Sequence, residues 1–276
     1  MEHDLIVIGG GFSGLTTAAR AAQLGMRTAV LEQETEAHYL CNSRMSSGVS
    51  NVCGWAMDLS QDELVGIIER ASAGHANPEL TRTYAANAAR TLAWLRQEGF
   101  KFVKMYPTSP ERQSWVIAPP RRFKAGLDLE GRGPDVSLRL LEEKLIGGGG
   151  ALIRGTKVES LIMEDGACVG ADAVRDGQAV SYAARAVVVA DGGYMANPDM
   201  VRKYISAHPE KLNLRSAPNV RGDGMRMAEA VGAELEGLGE FYGHLQHRDA
   251  MTNEALWPYP TLDAIAQAGI VVGADG

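Results

Sequence analysis

The sequence predicts an α/β fold that combines a parallel sheet with a small antiparallel β-meander. An apolar strand at residues 5–8 leads through a glycine-rich turn into a helical segment and a second strand. Three segments between residues 157 and 182 are separated by Asp-Gly pairs, and a continuous apolar run follows at residues 186–190. Asp-Gly pairs are typical of hairpin turns, whereas a continuous apolar run is typical of a parallel strand that is buried on both faces.

The first strand, turn, helix and strand have the order that a dinucleotide-binding βαβ unit requires. The turn holds Gly9, Gly11 and Gly14, the helical segment extends to Leu24, and the second strand ends at Glu32. Gly9 permits the tight turn, Gly11 lets the backbone approach a pyrophosphate, and Gly14 lets the helix pack closely on the strand. The N–H groups at the helix start carry about half a positive charge, and Glu32 is placed to bind a ribose. This unit alone does not distinguish FAD from NAD, because both contain the same ADP half.

Composition excludes several classes of function. The chain has 276 residues, 45% of them hydrophobic, so it is long enough to bury a large core as one or two domains. A formal charge of -7 and a pI near 5.4 argue against nucleic acid or an anionic membrane as the main partner. Three cysteines without paired spacing support neither a disulfide framework nor a metal site. With no expected leader or membrane span, we predict a cytoplasmic protein.

Two helices are predicted between the nucleotide unit and the middle of the chain. Ser60 and Glu63 have capping-box spacing, which indicates that a helix begins there. A second helix is predicted over residues 78–98 and stops at Gly99. Four of its residues share one face and are interpreted as core: Tyr84, Ala88, Leu92 and Leu95.

Long polar stretches flank these helices. Residues 33–51 are interpreted as a loop beside the nucleotide. Residues 104–134 are rich in Pro, Arg and Gly, and they include a basic cluster at residues 121–124. That cluster is either a solvated loop or a contact for an anionic substrate or phosphate.

The second half of the chain supplies the meander and a second glycine-rich site. A helix is predicted at residues 135–146, followed by the meander within about residues 151–183. The apolar run at residues 186–190 breaks at Asp191 and Gly192, where backbone is again free to approach a ligand. Further helices are predicted at residues 198–205 and 224–231.

Five blocks together resemble the FAD-binding domain of the fumarate reductase and succinate dehydrogenase flavoprotein family. That family includes tricarballylate dehydrogenases and 3-ketosteroid dehydrogenases, and the resemblance spans nearly the whole chain. The blocks lie at residues 4–14, 31–32, 42–48, 187–194 and 219–233. The last block, in which a Gly-Asp-Gly triplet precedes Met-Arg-Met-Ala and later Gly-Ala, is specific, and chance would rarely produce it together with the first block.

The resemblance implies a set of FAD-binding residues. It places Glu32 at the adenosine ribose, Val158 at the adenine and Asp223 on the flavin side. The pyrophosphate is expected to contact Gly9, Gly11, Ser13 and Gly14. The flavin end is expected near Asn42, Ser43, Ser47 and Gly48, and Gly192 completes the set. Members that attach FAD covalently carry a histidine at the position of Asn42, so the resemblance implies noncovalent FAD.

Three departures from the family pattern bear on FAD affinity. Leu40 and Cys41 stand where the family often has two glycines, and Val49 replaces a further glycine. Asp191 stands where the family usually has threonine. A carboxylate beside a flavin or phosphate is repelled unless it points away or pairs with a cation.

The resemblance also implies a reaction: hydride transfer between flavin and a carbon–carbon bond next to a carboxylate or carbonyl. His244 is the candidate for substrate contact, although a lone histidine is more often structural. The sequence around it is more similar to the tricarballylate dehydrogenase branch than to the steroid branch. The substrate is expected to be a small carboxylate, and the electron acceptor is not specified.

The C-terminal end bears on whether the site is complete. A short strand and a turn at Asp275 and Gly276 predict that the chain stops inside a larger fold, without the capping domain and the returning segment of the FAD domain. The whole chain is then the N-terminal portion of one FAD-binding domain. A noncatalytic FAD-binding fragment and a 3-ketosteroid dehydrogenase-like enzyme are the alternatives, and an NAD-binding module is disfavoured by the later blocks.

Overall fold

The computed structural model describes residues 2–104, 114–119, 129–256, 262–270 and 272. The chain divides into two compact units. The first unit comprises Met1–Met45, Phe123–Leu129 and Leu141–Gly276, and the second comprises Ser46–Arg122 and Glu130–Leu140. The basic cluster predicted at residues 121–124 lies outside the described residues.

The strands and helices follow in chain order. The strands are β1 (His3–Ile8), β2 (Thr28–Leu31), β3 (Val49–Ser50), β4 (Phe102–Lys104), β5 (Trp115–Ile117), β6 (Ala151–Ile153), β7 (Thr156–Glu164), β8 (Ala167–Arg175) and β9 (Gln178–Val189). The helices are α1 (Phe12–Gln23), α2 (Asn42–Met45), α3 (Gln61–Ala71), α4 (Pro78–Gln97), α5 (Gly133–Gly147), α6 (Pro198–Tyr204), α7 (Asp223–Ala230) and α8 (Asp263–Ala268). None of the helices among the described residues has the length and apolar composition needed to span a membrane.

The first unit contains a six-stranded sheet in the order β6-β2-β1-β9-β8-β7. Neighbours from β6 to β9 are parallel, and those from β9 to β7 are antiparallel. The predicted hairpins turn at Asp165-Gly166 and Asp176-Gly177, where all four residues have positive φ values, as a type I′ turn requires. The predicted fold class, a parallel sheet with a small antiparallel meander, is confirmed.

One strand serves both parts of this sheet, which corrects two sequence expectations. The last meander strand and the apolar run at residues 186–190 were expected to be separate, but β9 is continuous. Val189 is 39% exposed, so the expectation that this run is buried on both faces is wrong. The reason lies in the pairing: β8 pairs with β9 only as far as Ala183, and in the described ladders the later residues pair with β1 alone.

The core of the first unit lies on both faces of the parallel strands. On one face, α1 packs its buried residues, including Leu15 and Ala18, against β1 and β2. A separate buried cluster joins Ile6, Ile8 and Leu31 of the parallel strands to meander residues, which are Val158, Ala171, Ala173 and Tyr182. The carboxyl ends of β1, β2 and β9 are therefore held between a helix and a meander.

The second unit contains a three-stranded antiparallel sheet, β3-β5-β4, and the helix pair α3 and α4. The capping box is confirmed, since the Ser60 and Glu63 side chains each bond the other residue's backbone N–H. Ala88 and Leu92 are buried as predicted, but Tyr84 is 51% exposed and Leu95 is only partly buried. Tyr84 is at the edge of the buried stripe because the helix turns by about 100° per residue.

An ion pair at the start of the first unit gives a pH-dependent stability. The Asp4 carboxylate accepts hydrogen bonds from the Arg27 side chain at 3.1 Å and from the Arg27 backbone N–H at 3.0 Å. These bonds lower the pKa of Asp4 from 3.8 to about 2. A depressed carboxyl pKa stabilises the fold above the unfolded value, and this contribution is lost as the pH falls toward 2.

We therefore expect Asp4→Asn to reduce the loss of stability between about pH 4 and pH 2. The measurement is the urea midpoint of unfolding across that range. Asp199→Asn is the matched control, because Asp199 pairs with Arg202 at 3.2 Å but is 90% exposed. An identical acid slope in wild type and Asp4→Asn would contradict the assignment.

Candidate functional site

A cleft in the first unit lies at the carboxyl ends of β1, β2 and β9. Its cavity volume is about 180 Å³. Most of the residues predicted to bind the cofactor line it: Gly9, Gly11, Ser13, Glu32, Asn42, Ser43, Val158, Gly192 and Asp223. The structure thus brings these predicted residues, which span more than two hundred positions, together in one cleft.

The glycine turn between β1 and α1 leaves no room for larger residues at two positions. Gly9 has a φ of +99°, and a Cβ there would lie 2.7 Å from the Ala190 carbonyl oxygen. A Cβ on Gly14 would lie 1.9 Å from the Gly9 carbonyl oxygen. Gly14 therefore packs α1 against the end of β1, and it is absent from the residues that line the cleft.

The start of α1 presents backbone N–H groups to the cleft. The Gly10 N–H donates to Glu32 Oε2 at 2.8 Å, and the Phe12 N–H donates to Ser43 Oγ at 2.9 Å. Within the described part of the chain, the Gly11 and Ser13 N–H groups have no protein partner. Unpartnered N–H groups at a helix start are a ready site for an anion.

The Glu32 side chain is hydrogen-bonded to the backbone of the glycine turn. The residue is only 5% exposed, and its Oε1 also accepts a hydrogen bond from the Glu34 N–H at 3.0 Å. Burial raises the pKa of Glu32, and the two N–H donors oppose that shift. Its carboxylate is consequently fixed beside the glycine turn at the cleft.

Asp191, the departure expected to weaken FAD binding, has a structural partner. Its Oδ2 accepts a hydrogen bond from the Gly224 N–H at 2.7 Å, at the start of α7. A Cβ on Gly224 would lie 2.1 Å from Asp191 Oδ1, so only glycine permits this contact. Burial raises the pKa of Asp191, and the charge of Asp223 adds to the rise. The carboxylate therefore accepts a hydrogen bond from a helix start, and the charge of Arg226 opposes the rise in its pKa.

The chain after β2 carries buried residues that sequence reasoning missed. Tyr39 is buried and its hydroxyl donates to the Gly10 carbonyl oxygen at 2.5 Å. The buried Arg44 guanidinium stacks 4.5 Å from the centre of the Tyr39 ring and donates to the Tyr39 carbonyl oxygen. Burial raises the pKa of Tyr39. The only sequence signal was an aromatic and a cation inside a stretch interpreted as a loop.

Two predicted residues of α2 hold that segment to the rest of the first unit. Asn42 Oδ1 accepts a hydrogen bond from the Ala217 N–H at 2.6 Å, and Ser43 contacts the start of α1 as described above. Both side chains also line the cleft. These two hydrogen bonds hold α2, a helix of only four residues, in place at the wall of the cleft.

The side-chain oxygen of Asn219 bears on whether the cleft fits a dinucleotide. Its Nδ2 donates to Glu34 Oε1 at 2.9 Å and to the Leu40 carbonyl oxygen at 3.1 Å. Its Oδ1 is buried and has no hydrogen-bond partner among the described residues, yet the residue lines the cleft. An orphaned acceptor at this position suits a ligand hydroxyl, of which a dinucleotide has several.

Three other predicted residues are not among those that line the cleft. Ser47 and Gly48 belong to the second unit, where Gly48 adopts a φ of +71° and its carbonyl oxygen accepts a hydrogen bond from Ile117 N–H. His244 is in the first unit but does not line the cleft. Its imidazole instead contacts Tyr242 and Asp263.

Comparison with known proteins identifies the cofactor. A model of the family described as FAD binding domain matches residues 4–257. The vinyl phenol reductase of Lactiplantibacillus plantarum is 27% identical over 252 residues, covering 86% of this chain and 47% of that protein. The NADH:acrylate oxidoreductase of Vibrio harveyi is 28% identical over 166 residues, covering 58% of this chain and 16% of that protein.

A solved structure shows the same fold. The 3-ketosteroid delta1-dehydrogenase from Sterolibacterium denitrificans matches with a TM-score of 0.73 at 19% identity, covering 92% of this chain and 58% of that chain. This chain spans less than half of the length of both curated relatives. Because the family match extends over most of the sequence, the chain belongs to the FAD binding domain family, and FAD is its cofactor.

Proposed function

We propose that this chain is the FAD-binding part of an oxidoreductase that reduces a carbon–carbon double bond conjugated to a carboxylate or carbonyl. The observation that carries the proposal is the cleft at the end of β1, where unpartnered N–H groups, a fixed carboxylate and an orphaned amide oxygen meet. FAD supplies hydride transfer when bound, and the protein orients substrate and manages one proton.

Particular residues are proposed to hold FAD. The Gly11 and Ser13 N–H groups bind the diphosphate, and Glu32 accepts hydrogen bonds from the adenosine ribose. Asn42, Ser43 and Asp223 lie on the flavin side, and Val158 offers backbone to the adenine. Ser47, Gly48 and Gly192 complete the proposed set. Since Asn42 is not a nucleophile, the FAD is held without a covalent bond.

The names of the relatives favour the substrate class. The two curated relatives are named vinyl phenol reductase and NADH:acrylate oxidoreductase, and vinyl phenol and acrylate each contain a carbon–carbon double bond. The steroid dehydrogenase matches only at the level of fold, at 19% identity. The double bond of acrylate is next to a carboxylate, whereas that of vinyl phenol is next to a phenol ring. On the acrylate relative, a small unsaturated carboxylate is proposed as the substrate, and the tricarballylate branch stays a prediction. A cytoplasmic location also stays a prediction, favoured by cysteines that are all free.

The test begins with the purified chain. We expect yellow protein whose FAD is released intact by acid denaturation, as measured by chromatography of the supernatant. The bound flavin is then reduced chemically without oxygen and mixed with acrylate, fumarate, urocanate or a 3-ketosteroid. Rapid reoxidation by an unsaturated carboxylate supports the proposal.

Each alternative has its own outcome. Stable FAD without reoxidation by any compound identifies a noncatalytic FAD-binding fragment. Reoxidation by the 3-ketosteroid alone identifies the steroid reaction. Flavin that stays with the precipitated protein contradicts noncovalent attachment.

A further inference from the structure

The peptide that joins Gly10 to Gly11 lies between the cleft and the protein behind the glycine turn. Its two polar groups are the Gly10 carbonyl and the Gly11 N–H, which point in opposite directions because the peptide is trans. The carbonyl oxygen accepts a hydrogen bond from the Tyr39 hydroxyl at 2.5 Å. Gly11 lines the cleft, whereas Tyr39 does not. The Gly11 N–H therefore points away from Tyr39, on the side of the turn where the cleft lies.

The turn itself does little to fix the rotation of this peptide. Both flanking residues are glycine, which has no Cβ and adopts more backbone angles than any other residue. The Gly10 N–H is held by Glu32 Oε2 at 2.8 Å, but that N–H belongs to the preceding peptide. Among the described residues, the Gly10 carbonyl oxygen bonds to the Tyr39 hydroxyl alone. The direction of the Gly11 N–H thus depends on that hydroxyl.

The contact with Tyr39 also explains why residue 10 is glycine. The dinucleotide pattern requires glycine at positions 9, 11 and 14 but accepts any residue at position 10. A Cβ on Gly10 would lie 2.6 Å from the Tyr39 hydroxyl oxygen and 2.9 Å from Glu32 Oε2. Glycine at this position therefore leaves room for both side chains to reach the backbone of the turn.

Tyr39 is itself held in one position. It is only 1% exposed, and the Arg44 guanidinium lies 4.5 Å from its ring centre and donates to its carbonyl oxygen. A second guanidinium, that of Arg154, lies 5.6 Å from the same ring centre and pairs with Glu142 at 2.7 Å. Burial raises the pKa of Tyr39, and the charges of Arg44 and Arg154 only oppose that rise. The Tyr39 hydroxyl therefore keeps its proton and remains a donor.

We propose that Tyr39 is a positioning residue of the FAD site, whose hydroxyl fixes the Gly10–Gly11 peptide and so directs the Gly11 N–H at the diphosphate. The inference rests on the proposed function, in which that N–H binds the diphosphate. A hydrogen bond to the carbonyl oxygen also polarises the peptide, which makes its N–H a stronger donor. An N–H group that already points at the ligand loses little freedom when FAD binds. Tyr39 acts through Gly11, without lining the cleft itself.

The first measurement is the NMR chemical shift of backbone N–H groups in the full chain, with and without FAD. In wild type we expect the Gly11 and Ser13 N–H protons to move downfield as each binds the diphosphate. Tyr39→Phe removes the hydroxyl and keeps the ring, so most of the Gly11 change should be lost. The Ser13 change should persist, because that N–H belongs to a peptide inside α1. The dissociation constant for FAD should rise about 10-fold.

A second buried tyrosine provides the matched control. The Tyr194 hydroxyl also donates to a backbone carbonyl oxygen, that of Leu238, and Tyr194 does not line the cleft. Tyr194→Phe should therefore keep the wild-type Gly11 shift and FAD affinity. A full Gly11 change in Tyr39→Phe overturns the inference. Equal losses at Gly11 and Ser13, or an equal loss at Gly11 in Tyr194→Phe, would show general loosening and would overturn it as well.

The second measurement needs no FAD. In the apoprotein, ¹⁵N relaxation should show a more mobile Gly11 N–H in Tyr39→Phe than in wild type, with Ser13 unchanged. If Tyr39→Phe does not fold, Arg44→Lys replaces it, because lysine keeps the charge but loses the planar contact with the Tyr39 ring. The same selective mobility at Gly11 is then expected, and a Gly11 N–H as rigid as in wild type overturns the inference.

Failure of the proposed function is distinguishable from failure of this inference. If the wild-type chain retains FAD but reduces no substrate, the proposed function fails on the reoxidation test. The NMR comparison uses no substrate, so it still decides whether Tyr39 directs the Gly11 N–H. If the wild-type Gly11 N–H does not shift when FAD binds, the diphosphate contact is wrong and the role of Tyr39 is overturned with it.

Discussion

Gly14→Ala is expected to lower the free energy of unfolding by at least about 3 kcal/mol. The added Cβ would lie 1.9 Å from the Gly9 carbonyl oxygen and 3.2 Å from Val7 Cγ1. Backbone cannot yield as a flexible side chain does, and overpacking a core costs about 1–3 kcal/mol even where the neighbours can shift. Alanine improves helix propensity by about 1 kcal/mol, which is too little to offset the clash. The measurement is urea unfolding followed by circular dichroism.

Two further glycine variants make this result specific. Gly147→Ala, at the end of α5, has nothing within 4 Å of the added Cβ and should be neutral or slightly stabilising. Gly11→Ala meets only Ser43 Oγ, at 3.1 Å, so this protein should fold and lose FAD affinity. If Gly14→Ala were as stable as Gly147→Ala, the close approach of α1 to β1 would be refuted.

Local chemistry made much of the fold predictable. The glycine turn before α1, the Ser60 capping box and the two Asp-Gly hairpins each depend on a few neighbouring residues, and all are observed. Each of these signals reflects a backbone conformation or an N–H group that only a few residue types satisfy. The order of the elements then placed the cleft.

Contacts between distant residues were not predictable in the same way. Asp191 departs from the family pattern, and its partner Gly224 lies 33 residues further on. Strands β3, β4 and β5 have only two or three residues each, too few for an alternating pattern to stand out from a loop. The continuity of β9 was missed because Ala183, Ala184 and Arg185 carry no strand signal of their own.

At the candidate site, the burial of Tyr39 and Arg44 likewise could not be predicted from the sequence. A polar stretch rich in Ser and Asn indicated a loop, and the structure uses it to support the glycine turn from outside. The contacts of His244 with Tyr242 and Asp263 likewise join residues that no spacing rule connects. Sequence patterns predicted the glycine turn of the cleft because that turn depends on neighbouring residues, whereas the groups that brace it, Tyr39 and Arg44, are set by packing.

Glu32→Gln is expected to lower FAD affinity by about 10- to 100-fold. Hydrogen bonds to a charged acceptor contribute about 1.5–3 kcal/mol, and each 1.4 kcal/mol is tenfold in affinity. Both Glu32 oxygens also accept backbone N–H groups, from Gly10 and Glu34, so a glutamine NH₂ must face one of those donors. Titration of the apoprotein with FAD, followed by flavin fluorescence, measures the change. Glu164→Gln, an exposed charge at the end of β7, is the control.

Glu32→Gln, which is expected to weaken FAD binding, should make the apoprotein more stable relative to wild type as the pH rises. Burial raises the pKa of Glu32, so folding takes up a proton between the unfolded value of 4.5 and the raised folded value. Wild type therefore loses stability relative to Glu32→Gln as the pH rises through that interval, and the difference is constant above it. If both results are obtained, the ionised Glu32 carboxylate weakens the apoprotein and strengthens FAD binding, so its role is in binding rather than in folding. If Glu32→Gln bound FAD as tightly as wild type, Glu32 would be a turn-bracing residue and the ribose contact would have to be assigned elsewhere.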